Sequence, residues 1–190
     1  MELIRSIRKC TLCAEHLPFT PRPIVQFSVN ARIAIIGQAP GLKVQESGIA
    51  WNDASGNELR RWMQVSKEQF YNPHIFAIIP MGFCYPGRGN TGDLPPRPEC
   101  APLWHQQILE TLTHLELILL IGKYSQSYYL PAGETLGLTQ TIKNYSQYLP
   151  QYFPLIHPSP RNKPWHKQNP WFEKDVVPAL RLQISNILPA

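Results

Sequence analysis

Four cysteines in this chain are spaced as metal ligands are. Cys10 and Cys13 form a C-x2-C pair, Cys84 and Cys100 follow far downstream, and no cysteine is left over. Two thiolates at that spacing reach one centre from a single turn. Two more complete a set that suits either tetrahedral zinc or a [4Fe–4S] cluster, and the residues alone leave both open. Disulfides are the poorer explanation in a chain expected in the cytoplasm. Unpaired core cysteines would have no need of the C-x2-C spacing. Such a centre is architectural first, because its binding energy becomes folding energy. It would tie the N-terminal segment 1–30 to the loop bearing Cys84 and Cys100.

A second concentration of chemistry lies in "ARIAIIGQAPG", where the apolar run Ile33–Ile36 ends in Gly37-Gln38-Ala39-Pro40-Gly41. The pattern is a buried strand delivering a tight loop. It is not a triphosphate cradle, since no Gly-Lys-Ser/Thr follows. It is not a dinucleotide fingerprint, since G-x-G-x-x-G is missing.

The elements that must position these groups alternate. Apolar strand-length runs recur at Ile33–Ile36, Ile75–Ile79, Leu117–Ile121 and Phe153–Ile156. They lack polar alternation, as strands buried on both faces do. Helical patterns separate them. Ser55-Gly56-Asn57-Glu58 fits a capping box ahead of Leu59, Trp62 and Met63. Pro98 and Glu99 open a helix carrying Leu103, Gln107, Leu109 and Leu112. Gly122 to Leu130 fits a short helix. Asn169 and Pro170 start the last one, with Pro178 expected to interrupt it. The expected fold class is α/β: a single domain, residues 1–190, with a four-stranded parallel sheet flanked by helices. Ligands of such sheets bind beyond the carboxyl ends of the strands. The loops Gly37–Asp53, Pro80–Arg97 and His157–Trp165 should meet there.

Composition narrows the classes. The chain has 190 residues, room for one sizeable core. No apolar run approaches the roughly 20 residues of a membrane span, and the N-terminus lacks a signal-peptide apolar stretch, so a cytoplasmic monomer is expected. A net charge of +5 is compatible with a polyanionic partner. The 20 prolines, about twice ordinary usage, punctuate long loops in which function is commonly housed.

Taken together, these features resemble the uracil-DNA glycosylase superfamily, and within it the iron–sulfur, fourth-family branch. The four-cysteine spacing resembles that branch's cluster ligands. "GQAPG" is similar to its first motif, Gly-Glu-Ala-Pro-Gly. "HPSPRN", His157 to Asn162, resembles the His-Pro-Ser motif and the DNA-wedging segment after it. The resemblance spans Cys10 to about Leu182. It implies a three-layer α/β/α fold, a [4Fe–4S] cluster on Cys10, Cys13, Cys84 and Cys100 in preference to zinc, and DNA with a damaged base as partner. There are departures. Gln38 stands where the branch has Glu, Ala39 where family one has Asp, and Pro80 where the branch commonly has Asn. Gly48-Ile49-Ala50-Trp51 replaces Gly-x-Pro-Phe.

On that resemblance the site residues take roles. His157 would donate a hydrogen bond to a base carbonyl oxygen as negative charge develops on the leaving base; alone it would be an ordinary loop histidine. Gln38 and the Ala39 amide would face the same pocket, with Gly37, Pro40, Gly41 and Pro80 as walls. Trp51 is equally a stacking platform or a core aromatic. Asp53 would orient water or stabilise the sugar cation, or else cap the following helix. Asp93 lies in a Gly-rich loop between two cysteines. Arg161 takes the wedge position beside Ser159 and Asn162. Lys163, His166, Lys167 and Lys174 form a basic strip interleaved with Trp165 and Trp171, read as DNA-contacting or as a solvated face. The expected function is a DNA N-glycosylase acting on a flipped, deaminated base. The alternative is a DNA-binding or damage-sensing protein of the same fold with little hydrolysis.

Overall fold

The structure, a computed structural model, describes residues 2–90, 92–131 and 136–188. After helix α1 (Glu2–Arg8) the chain reaches strand β1 (Ile33–Ile36), then α2 (Leu42–Ser47), α3 (Ala54–Met63), α4 (Lys67–Phe70) and β2 (Phe76–Ile78). A small hairpin follows, β3 (Arg88–Gly89) and β4 (Gly92–Asp93). A π-helical turn (Ala101–His105) leads into α5 (Gln106–Thr111), β5 (Leu117–Ile121), α6 (Lys123–Tyr129), α7 (Gly137–Lys143) and β6 (Tyr152–Leu155). The chain closes with α8 (Lys163–Gln168), a second π-helical turn (Phe172–Val176) and α9 (Val177–Ile187).

The main sheet is parallel throughout, in the order β2-β1-β5-β6. Ile33 pairs with Phe76 on one side and Leu117 on the other. The direction of strand addition reverses at β1, which opens a crevice beyond the carboxyl ends of the central strands. The expected α/β class and sheet hold, with β2 a residue shorter at each end than its apolar run and β6 shifted by one residue.

Strand alternation splits the core into two layers. Ile33, Ile35, Phe76, Ile78, Leu119 and Phe153 face α3 and α9, meeting Leu59, Trp62, Met63, Leu180 and Ile184. Ala34, Ile36, Ala77, Ile79, Ile118 and Leu120 face α1 and α5, meeting Ile7, Ile108 and Leu112. Full burial of each large apolar side chain stabilises the fold by about 1.5–3 kcal/mol, so both faces must be covered. The N-terminal segment is also held by backbone: Ile24 donates to Phe83, and Gln26 exchanges hydrogen bonds with Ile78 at the sheet edge.

Several local expectations are corrected. Ser55 does not cap α3. It is buried inside the helix, and Asp53 is the cap, its Oδ1 accepting from the Gly56 amide at 2.8 Å. The capping box belongs to α4, where Ser66 and Gln69 exchange bonds. On the helix after Cys100 the buried face is Ala101, His105, Ile108 and Leu112, and Leu103 is exposed. The wide π-turn at Ala101–His105 shifts the phase of the apolar stripe. Asn169 does not cap the last helix; its Oδ1 accepts from the Trp171 indole. Pro178 sits at the start of α9, and the π-turn before it absorbs the interruption. Among the described residues no helix is long and apolar enough to cross a membrane.

Candidate active site

A cavity of about 440 Å³ opens beyond the carboxyl ends of the sheet. Its floor is the loop after β1, Gly37 to Gly41, with Pro80 following β2. His157 and Ser159 follow β6, and Arg161 and Asn162 stand at the rim. Trp51 and Asp53 enter from the loop ahead of α3. The three loops expected to meet therefore do. Lys163 and Lys167 do not line the cavity; they lie on α8, exposed to solvent.

Local sequence explains the placement of Trp51. Its backbone is left-handed, with φ 55°, a conformation that costs a non-glycine residue about 1–2 kcal/mol. Two glycines make room for it. A Cβ on Gly37 would lie 2.8 Å from the indole Cζ2, and one on Gly56 only 1.8 Å from the Trp51 carbonyl oxygen. The indole stacks on His157, with centroids 5.6 Å apart at 29°, and also packs against the main core. Trp51 is thus a core aromatic whose indole also borders the cavity.

Burial lowers the affinity of His157 for a proton, and the nearby Asp53 carboxylate partly opposes this. The net direction is downward, so the ring is neutral near pH 7 and carries one N–H donor. Asn162 fixes the turn by donating to the His157 carbonyl at 2.6 Å. The Ser159 hydroxyl caps the next turn by accepting from the Arg161 amide at 3.3 Å.

Gln38 does not aim its amide at open space. Its Nε2 donates to the Leu94 carbonyl at 3.2 Å, tethering the loop to the β3–β4 hairpin. A Cβ on Gly92 would fall 2.2 Å from an Arg161 nitrogen, so this glycine lets the guanidinium lie against the hairpin. The hairpin brings Asp93 into the cavity wall. The basic strip is corrected in part. His166 packs its ring against Trp62 and Phe172, and Trp165 packs on Trp171 and Phe172. These three rings lie half-buried against the core, whereas Lys163, Lys167 and Lys174 are exposed.

His105 is a supporting residue that sequence reading missed. It is buried beneath Pro80 and stacks on Phe83. Because a carbonyl can only accept, Nε2–H donates to the Pro80 oxygen at 3.0 Å, and Nδ1 accepts from the Tyr129 hydroxyl at 2.6 Å. Burial pushes its pKa down from 6.5 to about 4. The unfolded chain therefore binds a proton that the folded chain rejects across that interval. Its contribution is present above about pH 6.5 and is lost as pH falls towards 4, on the order of 3 kcal/mol. We expect the guanidinium midpoint of the protein to fall between pH 7 and 4.5, and to fall less in His105→Gln. Equal pH dependence in the two would show that His105 is not the group responsible.

All four cysteines are free, and all line one small cavity with Leu17, Phe83, Arg97 and Trp104. Among the described residues no group of three or more His, Cys, Asp or Glu is already placed to hold a metal ion. The donor set nevertheless fits a cluster. Burial, with a smaller contribution from the neighbouring cysteines, pushes Cys84 up to about 12 and Cys100 to about 11. Four sulfurs are thus gathered around one small cavity, and at Cys84 and Cys100 a bound cationic centre would offset the burial that disfavours thiolate. Trp104 adds a buried indole N–H with no acceptor among the described residues, a donor that cluster sulfur would satisfy.

A family model described as the uracil DNA glycosylase superfamily matches residues 24–181. The chain belongs to the uracil DNA glycosylase superfamily. The match spans the sheet, the cavity loops, Cys84 and Cys100, and begins after Cys10 and Cys13. The chain is also 23% identical over 165 residues to the type-4 uracil-DNA glycosylase of Thermotoga maritima, covering 84% of this chain and 81% of that protein. Within this superfamily chain the hairpin and His105 carried no strong sequence signal. Two residues per strand are too few for periodicity, and a lone histidine in an apolar helix gives no sign of its partners.

Proposed function

We propose that the chain is a DNA N-glycosylase of base excision repair, hydrolysing the bond between a damaged, deaminated base and its sugar. The observation that carries this is the convergence of His157, Trp51, the Gly37–Gly41 loop and Arg161 on one cavity at the strand ends. Superfamily membership and the named activity of the similar Thermotoga protein support it.

The target nucleotide must leave the stack to expose its anomeric carbon, at a cost of a few kcal/mol that is least at a mismatch. In this reading Trp51 and Pro80 wall the flipped base, and the Ala39 amide and Gln38 border its edge. The N-glycosidic bond breaks with its electron pair going to the base. Neutral His157 donates to a base carbonyl oxygen as negative charge collects there. Water then bonds to the anomeric carbon and releases its proton to solvent or base. Arg161 fills the gap left in the duplex, and Ser159, Asn162, Lys163 and Lys167 meet the phosphate backbone. Cys10, Cys13, Cys84 and Cys100 would hold a [4Fe–4S] cluster, whose contribution is to cross-link the fold. The protein acts as a cytoplasmic monomer in this account.

One observation favours the second reading, a damage-binding protein with little hydrolysis: the side chain of Gln38 is tied to Leu94 and provides no acid. Incubation with duplex and single-stranded oligonucleotides carrying uracil, hypoxanthine or xanthine separates the two. Abasic sites in any of them support the glycosylase. Tight, damage-selective binding without abasic sites establishes the second reading.

A further inference from the structure

The loop at the floor of the cavity has no acid of its own, yet a carboxylate is laid over it. Gln38 Nε2 holds the Leu94 carbonyl, and the Leu94 amide donates to Gly87 at 2.9 Å, so one bond pins the whole hairpin to the loop. Asp93 is the residue before Leu94. Its Oδ2 lies 3.5 Å from where a Cβ on Gly41 would stand, and it lines the cavity. Its side chain makes no hydrogen bond among the described residues. The other cavity carboxylate, Asp53, already has Oδ1 committed to the Gly56 amide.

Depth decides what Asp93 would face. It is exposed, and its neighbour Gly92 touches the Arg161 guanidinium at the rim. His157, by contrast, stacks against Trp51 within the cavity. A flipped base reaches furthest in, so its sugar stays near the rim. As the base departs with the bonding pair, positive charge develops on that sugar, and a fixed carboxylate there is stabilising. We propose that Asp93 supplies the negative charge facing the sugar of the flipped nucleotide, with Gln38 as the positioning residue that holds it there. The inference rests on the glycosylase reading but is testable without turnover.

The probe is duplex DNA carrying one of two abasic analogues: a pyrrolidine ring, protonated and cationic, or a neutral tetrahydrofuran ring. The wild type should prefer the cationic ring by roughly tenfold at low salt, with the ratio shrinking as salt rises. Asp93→Asn should bring the ratio close to one while leaving affinity for the neutral ring within about twofold. Asp93→Glu should keep part of the preference. Gln38→Ala should lower the ratio, and adding it to Asp93→Asn should lower it no further, because the two residues act through one charge. A wild-type ratio in Asp93→Asn, no preference in the wild type, or a preference abolished by Asp53→Asn alone would each overturn the proposal. If the wild type shows the Asp93-dependent ratio yet cleaves no base, Asp93 stands and the glycosylase reading falls. If it cleaves and Asp93→Asn changes neither ratio nor rate, the reverse holds.

Discussion

His157→Ala is expected to slow single-turnover base release by roughly 10²–10³-fold, about 2.7–4 kcal/mol, as removal of one oxyanion donor does elsewhere. The effect is differential. The ground-state base is neutral, whereas the departing base carries negative charge, so a donor aimed at its carbonyl oxygen helps the transition state more than the bound state. Affinity for damaged DNA should therefore stay near wild type. Burial keeps the imidazole neutral, so the loss is of a hydrogen bond and not of a full ion pair. His157→Asn, which retains an N–H, should recover part of the rate. Because His157 also stacks on Trp51, near-ultraviolet circular dichroism must first show that the alanine variant keeps its fold. A folded variant cleaving at the wild-type rate would move the leaving-base contact to another residue.

Removing one cysteine of the four should cost most of the fold. Structural metal centres contribute on the order of 10 kcal/mol, comparable with the total stability of a typical domain, about 5–15 kcal/mol. Cys100 heads the π-turn that places His105, and Cys84 follows Phe83, whose ring stacks on His105. Protein prepared without oxygen should contain iron and acid-labile sulfide. Cys100→Ala should bleach its visible absorbance and abolish cooperative unfolding. Deleting one sulfur from an ordinary core would cost only about 1 kcal/mol. If Cys100→Ala loses no more than that, and the wild type holds no iron or sulfide, the four cysteines serve no cluster. Stoichiometric zinc without sulfide would assign the other metal.

Much of this was legible in the sequence, and the reasons are specific. Strands buried on both faces write themselves as unbroken apolar runs, so Ile33–Ile36 and Leu117–Ile121 were readable to the residue. Loops leaving the same end of a parallel sheet must meet, which brought Gly37, Pro80 and His157 together on paper. Three things were not readable. Ser55 and Glu58 satisfy the capping pattern, but Asp53 reaches the Gly56 amide first. The π-turn at Ala101–His105 hides a phase shift that no four-residue period reveals. The tethering of Gln38 by Leu94 joins residues far apart in the chain. Its consequence, a carboxylate borrowed by the loop from a hairpin, cannot be seen from either segment alone.

Trp51, Gly37 and Gly56 also constrain how this cavity could change over generations. Gly37 cannot take a methyl group while the indole is in place, since the contact with Cζ2 would be 2.8 Å, and Gly56 cannot take one at all, since its 1.8 Å contact is with the backbone carbonyl oxygen of residue 51. With the indole gone, Gly37 would keep its conformational cost and lose what it accommodates, while Gly56 would still be needed to clear the residue 51 carbonyl. Every single step away from the trio therefore leads downhill. The shape of this wall can be traded for another only by a simultaneous change at several positions, so it should persist through long drift even where the bases it meets differ.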